Sequence, residues 1–270
     1  MDIISKITEE LQVKKWQVEA AVGLIDEGNT IPFISRYRKE ATGSLNDEQL
    51  RNLHERLLYL RNLEEKKEQV LGSIEEQGKL TDELKKQILA AETLVVVEDL
   101  YRPYRPKRKT RASIAKEKGL EGLAEYILAQ TAETPVLEEA KKYVTGEDAE
   151  EGKQVKNAEE ALQGAKDIIA ESISDSAEYR AYIRSATMDE GVITSGAKDE
   201  KAESVYEMYY HFEEPIQKLA GHRILALNRG EKEKILTVKV QAPKDRILSY
   251  LEKKVIVAQL SLIHISEPTR

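Results

Sequence analysis

The sequence contains no cysteine, which excludes disulfide bonds, thiolate metal sites and cysteine nucleophiles. Long hydrophobic runs are also missing, since none approaches the roughly 20 residues that span a bilayer. The N-terminal residues, Met1 to Ser5, lack the basic flank and apolar block of a signal peptide. Together these absences predict a cytoplasmic protein without a membrane anchor.

Aromatic residues are scarce, at 6 % of 270 residues, and 12 of them are tyrosine. This scarcity indicates helices that pack mainly through aliphatic side chains. A hydrophobic content of 40 % and a charged content of 34 % are typical of a folded chain rather than a disordered one. The length allows one large domain or two smaller ones.

Catalytic patterns are also missing. His54, His211 and His222 are far apart in the sequence and lack the spacing of metal ligands. No glycine-rich phosphate loop, nucleophile elbow or HExxH motif occurs. Glu213 and Glu214 precede a proline, and we expect them to cap a turn. The sequence therefore predicts no catalytic residue, no metal and no cofactor, and this chain is not expected to be an enzyme.

The net charge of −7 is unevenly distributed along the chain. Between Tyr101 and Lys118 there are eight Lys or Arg residues and one acid, Glu117, so this window carries +7 and the remainder −14. An acidic protein can still present one basic surface to a polyanion.

Helical spacing is clear in the first hundred residues. An amphipathic stripe at i, i+3, i+4 and i+7 is formed by Val18, Ala21, Val22 and Ile25. Asn46 and Gln49 predict a capping box that opens a long helix. The first three predicted helices, at about 2–11, 14–27 and 30–38, are similar to a helix-turn-helix start. The second of these would present to DNA Lys14, Lys15, Trp16 and Gln17. The alternative is ordinary short helices, with Trp16 as a packing residue.

The sequence predicts a mostly α fold in three parts. Residues 1–130 form a multi-helix N-terminal domain with the helix-turn-helix-like start, and residues 131–220 form a helical, acidic region. Within it, the strongly acidic part from Thr131 to Glu178 is expected to be a solvated helical hairpin rather than core. Alternation at Leu236, Val238 and Val240 predicts a strand, followed by a helix. Residues 221–259 would be the truncated start of a small α/β region whose remaining strands are missing, leaving an unpaired strand edge.

The last residues, Leu260 to Arg270, depart from the preceding helical pattern. One permitted back-translation of them is a transposon-end adapter used to prepare sequencing libraries. We expect residues 260–270 to derive from that adapter, so His264 is given no function. The natural protein is then expected to continue beyond Gln259.

A basic loop around two prolines, Pro103 and Pro106, is the main candidate site. Its cations could contact phosphates, and its tyrosines could stack on an unpaired base. The candidate residues are Tyr101, Arg102, Tyr104, Arg105, Lys107, Arg108, Lys109 and Arg111. The alternative is structural: the prolines and tyrosines strap the loop across the helices, and the cations pair with carboxylates of the chain.

A second basic cluster consists of Arg36, Arg38 and Lys39, beside Tyr37. It is a secondary candidate for nucleic-acid contact. Helical spacing turns these cations to different sides, and Glu40 offers a partner, so we expect intramolecular salt bridges here.

Two longer segments carry a resemblance to a known family. The first runs from Ile31 through IPFISRYRKEATG and on to Arg51, and the second from Val97 through VEDLYRPYRPKRKTR and on to Leu120. A looser third segment is HRILALNRGE, from His222 to Glu231. Over most of residues 1–259 the sequence resembles the N-terminal part of the Tex family of bacterial transcription accessory proteins.

The resemblance implies an architecture and a function. In the family a helical region with a helix-turn-helix-like element precedes an RNase-H-like domain, helix-hairpin-helix elements and a C-terminal OB-fold that binds RNA. This chain would then be the N-terminal scaffold of a transcription accessory factor that binds RNA or DNA non-specifically, mainly through the missing C-terminal domains, with RNA polymerase or other transcription machinery as a further partner. An alternative is a protein-interaction scaffold without nucleic-acid contact. A third hypothesis is a nuclease whose active acids lie downstream.

Overall fold

The helical content of the chain matches the predicted fold class. A computed structural model describes the following residues: 2–130, 134–145, 153–201 and 203–257. They are mostly α-helical with one small antiparallel sheet, which confirms the mostly α prediction. The chain divides into two units, Met1–Tyr104 and Arg105–Arg270. The predicted domain boundaries at residues 130 and 220 stay predictions, and the predicted adapter-derived residues 260–270 lie outside the described residues.

The first unit contains the long helix that the capping pattern predicts. Its helices are α1 (Ile3–Leu11), α2 (Lys15–Asp26), α3 (Ile31–Tyr37), α4 (Asp47–Glu76), α5 (Asp82–Ala90) and α6 (Leu94–Tyr101). At the start of α4 the side chain of Asn46 accepts a hydrogen bond from the backbone N–H of Gln49, at 2.8 Å. The Gln49 side chain accepts one from the backbone N–H of Asn46, at 3.0 Å. This confirms the predicted capping box.

One face of α4 forms the core of the first unit. Residues at helical spacing on that face are buried: Leu50, Leu53, Leu57, Leu60, Leu63, Val70 and Ile74. Buried side chains of α1, α2, α3, α5 and α6 pack in the same cluster. Full burial of one such side chain contributes about 1.5 to 3 kcal/mol, so this stripe is the main source of stability in the unit.

A buried cation links α4 to the end of α5. The side chain of Lys67 is only 2 % exposed. Its Nζ donates to Oε1 of Glu64 and to the carbonyl oxygen of Leu89, each at 2.9 Å. A buried charge is tolerated only when it is paired and hydrogen-bonded, so these contacts fix the position of α5 on α4.

Two arginines of α4 hold the first two helices. The guanidinium of Arg56 donates to both carboxylate oxygens of Glu10, at 2.5 and 2.7 Å. The guanidinium of Arg61 forms the same kind of bidentate contact with the carboxylate of Asp26, at 2.7 and 2.8 Å. These hydrogen bonds lower the pKa of Glu10 and that of Asp26 below their usual values.

The second unit combines a helical core with a small sheet. Its elements are α7 (Arg111–Glu117), α8 (Glu121–Ala129), α9 (Val136–Lys141), α10 (Ala158–Asp175), α11 (Ala177–Glu190), β1 (Val192–Ala197), β2 (His211–Pro215), α12 (Gly221–Lys232), β3 (Leu236–Gln241) and α13 (Lys244–Val255). Val155, Ala161 and Ala165 are fully buried in a core shared by α7, α8, α9 and α10. The expectation of a solvated hairpin in this region was therefore wrong.

The strand predicted near residue 236 is present, but it is not unpaired. The sheet has the order β2-β1-β3, and both pairings are antiparallel. Val238 of β3 pairs with Ser195 of β1, which pairs on its other side with Phe212 of β2. The expectation that the partner strands are missing was wrong, because residues preceding β3 supply both of them.

The acidic pair before Pro215 lies in strand β2, not in a turn as predicted. Glu214 accepts hydrogen bonds from the guanidinium of Arg223 on α12, at 2.7 Å to each carboxylate oxygen. The Arg223 guanidinium also lies 6.0 Å from the ring centre of Phe212. Arg223, which belongs to the third family-like segment (His222 to Glu231), therefore joins α12 to the sheet.

Truncating the stripe of α4 is expected to destabilise the first unit. Leu57 is 1 % exposed and Leu58 is 53 % exposed, which makes them neighbouring test and control positions. Leu57→Ala should lower the free energy of unfolding by about 2 to 5 kcal/mol through the cavity that it leaves. Leu58→Ala should change it by less than about 0.5 kcal/mol. Urea unfolding followed by the fluorescence of Trp16, the only tryptophan, measures both; equal effects would contradict this packing.

The Glu10–Arg56 pair predicts a pH-dependent contribution to stability. Because the pKa of Glu10 is lowered from 4.5, the pair stabilises the fold above that pH, and this stabilisation is lost as the pH falls through the lowered pKa. Glu10→Gln should therefore reduce stability at neutral pH, by at most about 1 kcal/mol for a surface pair, and have no effect in acid. Urea unfolding at several pH values, with Glu9→Gln as control, measures this. A deficit of equal size at every pH would refute it.

Candidate nucleic-acid interface

The two tyrosines of the predicted basic loop pack within the first unit. Helix α6 continues through Tyr101, and a 3₁₀ turn follows at Arg102–Tyr104. The hydroxyl of Tyr101 lies 3.0 Å from Oγ of Ser73, and the carbonyl oxygen of Tyr104 accepts a hydrogen bond from Nε2 of Gln77, also at 3.0 Å. Both rings are partly buried against the core around α4. This geometry favours the structural alternative for the tyrosines over stacking on a base.

Lys107 is held by carboxylates of the second unit. Its Nζ donates to Oδ2 of Asp175 at the end of α10 and lies 3.5 Å from Oε1 of Glu171. The Lys107 side chain is 29 % exposed and that of Asp175 only 11 %. This is the intramolecular pairing that the structural alternative predicts, so Lys107 is poorly available to an external phosphate.

The other loop cations differ in how strongly the chain holds them. Arg102 and Arg105 also interact with other groups of the protein. Lys109 Nζ lies 3.5 Å from Oε2 of Glu117, with side chains 76 % and 51 % exposed. An exposed pair of this kind contributes about 0 to 1 kcal/mol, so an external anion can compete for Lys109.

Arg108 and Arg111 are the best-placed candidates. Both are exposed, and in the described ranges neither forms an ion pair. Arg111 is the first residue of α7, whose N-cap Thr110 accepts a hydrogen bond from the backbone N–H of Ser113 at 3.0 Å. Ala112 and Ala115 of α7 are buried against α10 and its neighbours. The helix is therefore anchored while the two guanidinium groups stay in solvent.

The second basic cluster does not form the predicted salt bridges. Arg36, Arg38 and Lys39 are exposed, and none of them is in an ion pair with a residue that the structure describes. The expected pairing with Glu40 was therefore wrong. The Arg38 guanidinium lies instead 5.9 Å from the ring centre of Phe33, a contact that the charge pattern did not indicate.

Residues at the start of α2 contact the turn at Thr42 and Gly43, between α3 and α4. The side-chain amide of Gln17 donates to the carbonyl oxygens of Thr42 and Gly43, at 3.2 and 3.0 Å. The Trp16 ring lies so close to Gly43 that an added Cβ there would be 2.4 Å from its Cη2 atom. Gly43 also has a φ of +61°, which favours glycine. Gln17 and Trp16 thus have a packing role, and the DNA-reading role of α2 stays a prediction.

The described residues contain neither a candidate metal site nor a helix able to span a membrane. Among them, no group of three or more His, Asp or Glu side chains could hold a metal ion. None of the helices in these ranges combines the length and the apolar content needed to cross a bilayer. The expectation that this chain is not an enzyme stays a prediction.

Comparisons with known proteins define the class of the chain. Residues 1–75 match the model of the Tex-like protein N-terminal domain, and residues 131–268 match the model described as Tex central region-like. The second match covers half of the chain, so the chain belongs to the Tex family.

Individual relatives agree with this assignment. The chain is 48 % identical over 254 residues to YdcI of Bacillus subtilis, covering 93 % of this chain and 35 % of that protein. It is 42 % identical over 248 residues to the transcriptional accessory protein Tex of Neisseria gonorrhoeae, covering 91 % and 32 %. It is 30 % identical over 248 residues to the human S1 RNA-binding domain-containing protein 1, covering 88 % and 24 %. The chain thus spans about a third or less of these relatives.

Removing the Lys107 ammonium should destabilise the second unit. Lys107→Met keeps most of the side-chain volume but removes the ammonium that donates to the buried Asp175 and lies near Glu171, so the free energy of unfolding should fall by about 1 to 3 kcal/mol. Lys109→Met removes an exposed charge from the same loop and should have an effect below about 0.5 kcal/mol. Urea unfolding followed by circular dichroism compares them. Indistinguishable midpoints for wild type and Lys107→Met would contradict this role for Lys107.

Proposed function

We propose that this chain is the N-terminal scaffold portion of a nucleic-acid-binding transcription accessory factor that acts in the cytoplasm. The name of the Neisseria gonorrhoeae relative supports the transcription role, and the name of the human relative supports RNA binding. In this proposal the whole protein binds RNA or DNA mainly through domains beyond this chain. RNA polymerase or another part of the transcription machinery is a further proposed partner.

The contribution proposed for this chain is phosphate contact by three loop cations, Arg108, Lys109 and Arg111. The observation that carries the proposal is the exposure of Arg108 and Arg111 without an ion pair in the described residues. The window from Tyr101 to Lys118 carries +7 while the remainder of the chain sums to −14, so this loop is a basic segment that attracts a polyanion within an otherwise acidic chain. Contacts to phosphates carry no sequence information, so this binding would be non-specific and steeply salt-dependent.

A protein-interaction scaffold is the second candidate function. Two apolar side chains near one another in the sequence, Val205 and Met208, are 86 % and 76 % exposed. Large contiguous apolar patches mark protein-binding surfaces, and in this alternative Val205 and Met208 would belong to one. In this alternative the loop cations only keep the protein surface hydrated, and the chain binds no nucleic acid. A nuclease activity, the third hypothesis, would belong to a domain outside this chain.

The phosphate-contact proposal predicts a loss of affinity and a change in its salt dependence. Arg108→Ser with Arg111→Ser should weaken binding of both single-stranded RNA and duplex DNA. The slope of log affinity against log salt should become shallower by about 0.9 per lost contact on duplex DNA and by about 0.7 on single strands. Fluorescence polarisation over a salt series measures both quantities.

The matched control changes two exposed lysines of α5, Lys85→Ser with Lys86→Ser, which alters the net charge equally. This control should retain the wild-type slope if the contact is local to the loop. If the two double variants lose equal affinity, the effect is one of net charge alone, and the assignment of Arg108 and Arg111 as phosphate contacts is rejected. No binding by the wild-type chain would favour the protein-interaction scaffold.

A further inference from the structure

We infer that α3 carries a second nucleic-acid contact, a stacking surface for unpaired bases formed by Phe33 and Tyr37 with the cations Arg36, Arg38 and Lys39. This inference rests on the proposed nucleic-acid-binding function and adds to it a preference for single strands. The surface lies entirely within the first unit, so its residues are separate from the loop cations Arg108 and Arg111.

The two rings form an exposed pair on α3. Phe33 and Tyr37 are 38 % and 65 % exposed, and their ring centres are 5.4 Å apart with an interplanar angle of 46°. Positions i and i+4 lie on one face of a helix, which brings the rings together. Ile34, by contrast, is fully buried in the core around α4. Helix α3 is thus held by Ile34, and the aromatic pair is left in solvent.

Core packing does not account for these rings. Only 6 % of the residues are aromatic, and the protein has two phenylalanines. The other one, Phe212, is half-buried and packs edge-on to Tyr209, with ring centres 5.4 Å apart. An exposed aromatic pair on a seven-residue helix is therefore an unusual use of scarce side chains, and it points to a ligand with a flat face.

The charges that adjoin the two rings in the sequence favour a polyanion as that ligand. Arg36, Arg38 and Lys39 have no ion-pair partner in the described chain, and the Arg38 guanidinium lies 5.9 Å from the centre of the Phe33 ring. One acid, Glu40, follows them. Aromatic faces that stack on bases, flanked by cations that meet phosphates, are the combination by which proteins bind single-stranded nucleic acid. An apolar protein surface would use the rings but would leave the three cations uncompensated.

The test separates the bases from the phosphates. Binding of the full chain is measured by fluorescence polarisation with three probes: a short single-stranded oligouridine, an abasic oligonucleotide with the same number of phosphates, and a DNA duplex. Phe33→Ala with Tyr37→Ala should weaken oligouridine binding about tenfold or more, because each lost stack costs several-fold in affinity. Its binding of the duplex and of the abasic strand should stay within about twofold of wild type.

Three controls support the interpretation. Leu58→Ala with Leu89→Ala removes exposed apolar side chains, 53 % and 51 % exposed, from other helices of the unit and should bind oligouridine like the wild type. Circular dichroism and the fluorescence of Trp16 confirm that the aromatic variant is folded. The conservative variant Phe33→Tyr, with Tyr37 unchanged, keeps an aromatic ring at position 33 and should retain most of the wild-type affinity for oligouridine.

The outcomes distinguish this inference from the proposed function. If Arg108→Ser with Arg111→Ser weakens binding while the aromatic variant binds oligouridine like the wild type, the loop contact stands and the stacking surface is rejected. If the wild-type chain binds oligouridine and the abasic strand equally well, stacking is also rejected. If it binds none of the probes, both proposals fail, and the aromatic pair is left as a surface for a protein.

Discussion

The first unit depends on the burial of one apolar stripe along α4. Because the other faces of α4 are exposed, the neighbouring helices of the unit contact α4 only along this stripe and beside it. At the edges Arg56 and Arg61 bind Glu10 and Asp26, while the buried Lys67 binds Glu64 and a backbone carbonyl. Paired charges of this kind contribute less than apolar burial but set the orientation of the helices. Helix α3 is fixed by the same stripe through Ile34, so its outer residues are free to serve another purpose.

Competition between carboxylates of the chain and an outside polyanion decides which cations can act. Lys107 lies against Asp175 and Glu171 of α10, and an external phosphate would have to replace a partly buried pair. Lys109 has only an exposed partner, and Arg108 and Arg111 have no ion pair among the residues described. A run of basic residues is thus not one functional unit: neighbours along the sequence differ in their availability because the fold presents acids to only some of them.

The helices could be predicted from local sequence signals, whereas the wrong predictions concern features that depend on contacts between residues distant in the sequence. The capping box at Asn46 and the stripe of α4 depend on residues close along the chain, so spacing was sufficient. Strand β1 was missed because its sequence, VITSGA, lacks the apolar-polar alternation that indicated β3. Strand β2 was missed because it contains Glu213 and Glu214, and the contact of Glu214 with Arg223 of α12 is not visible in the local sequence. The candidate cations were visible as a charge pattern, but the pairing of Lys107 with α10 spans 68 residues and could not be read from it.

Aromatic and charged contacts give different kinds of selectivity, and the two candidate surfaces of this chain differ in this respect. The loop around Arg108 offers cations alone, because Tyr101 and Tyr104 are committed to the core of the first unit. Cations alone attract any polyanion within about one Debye length, roughly 10 Å at moderate salt, and do not separate duplex from single strand. The α3 surface adds exposed rings to its cations, and a base can stack only where it is unpaired. A protein with both surfaces could bind nucleic acid generally through one and recognise an unpaired segment through the other.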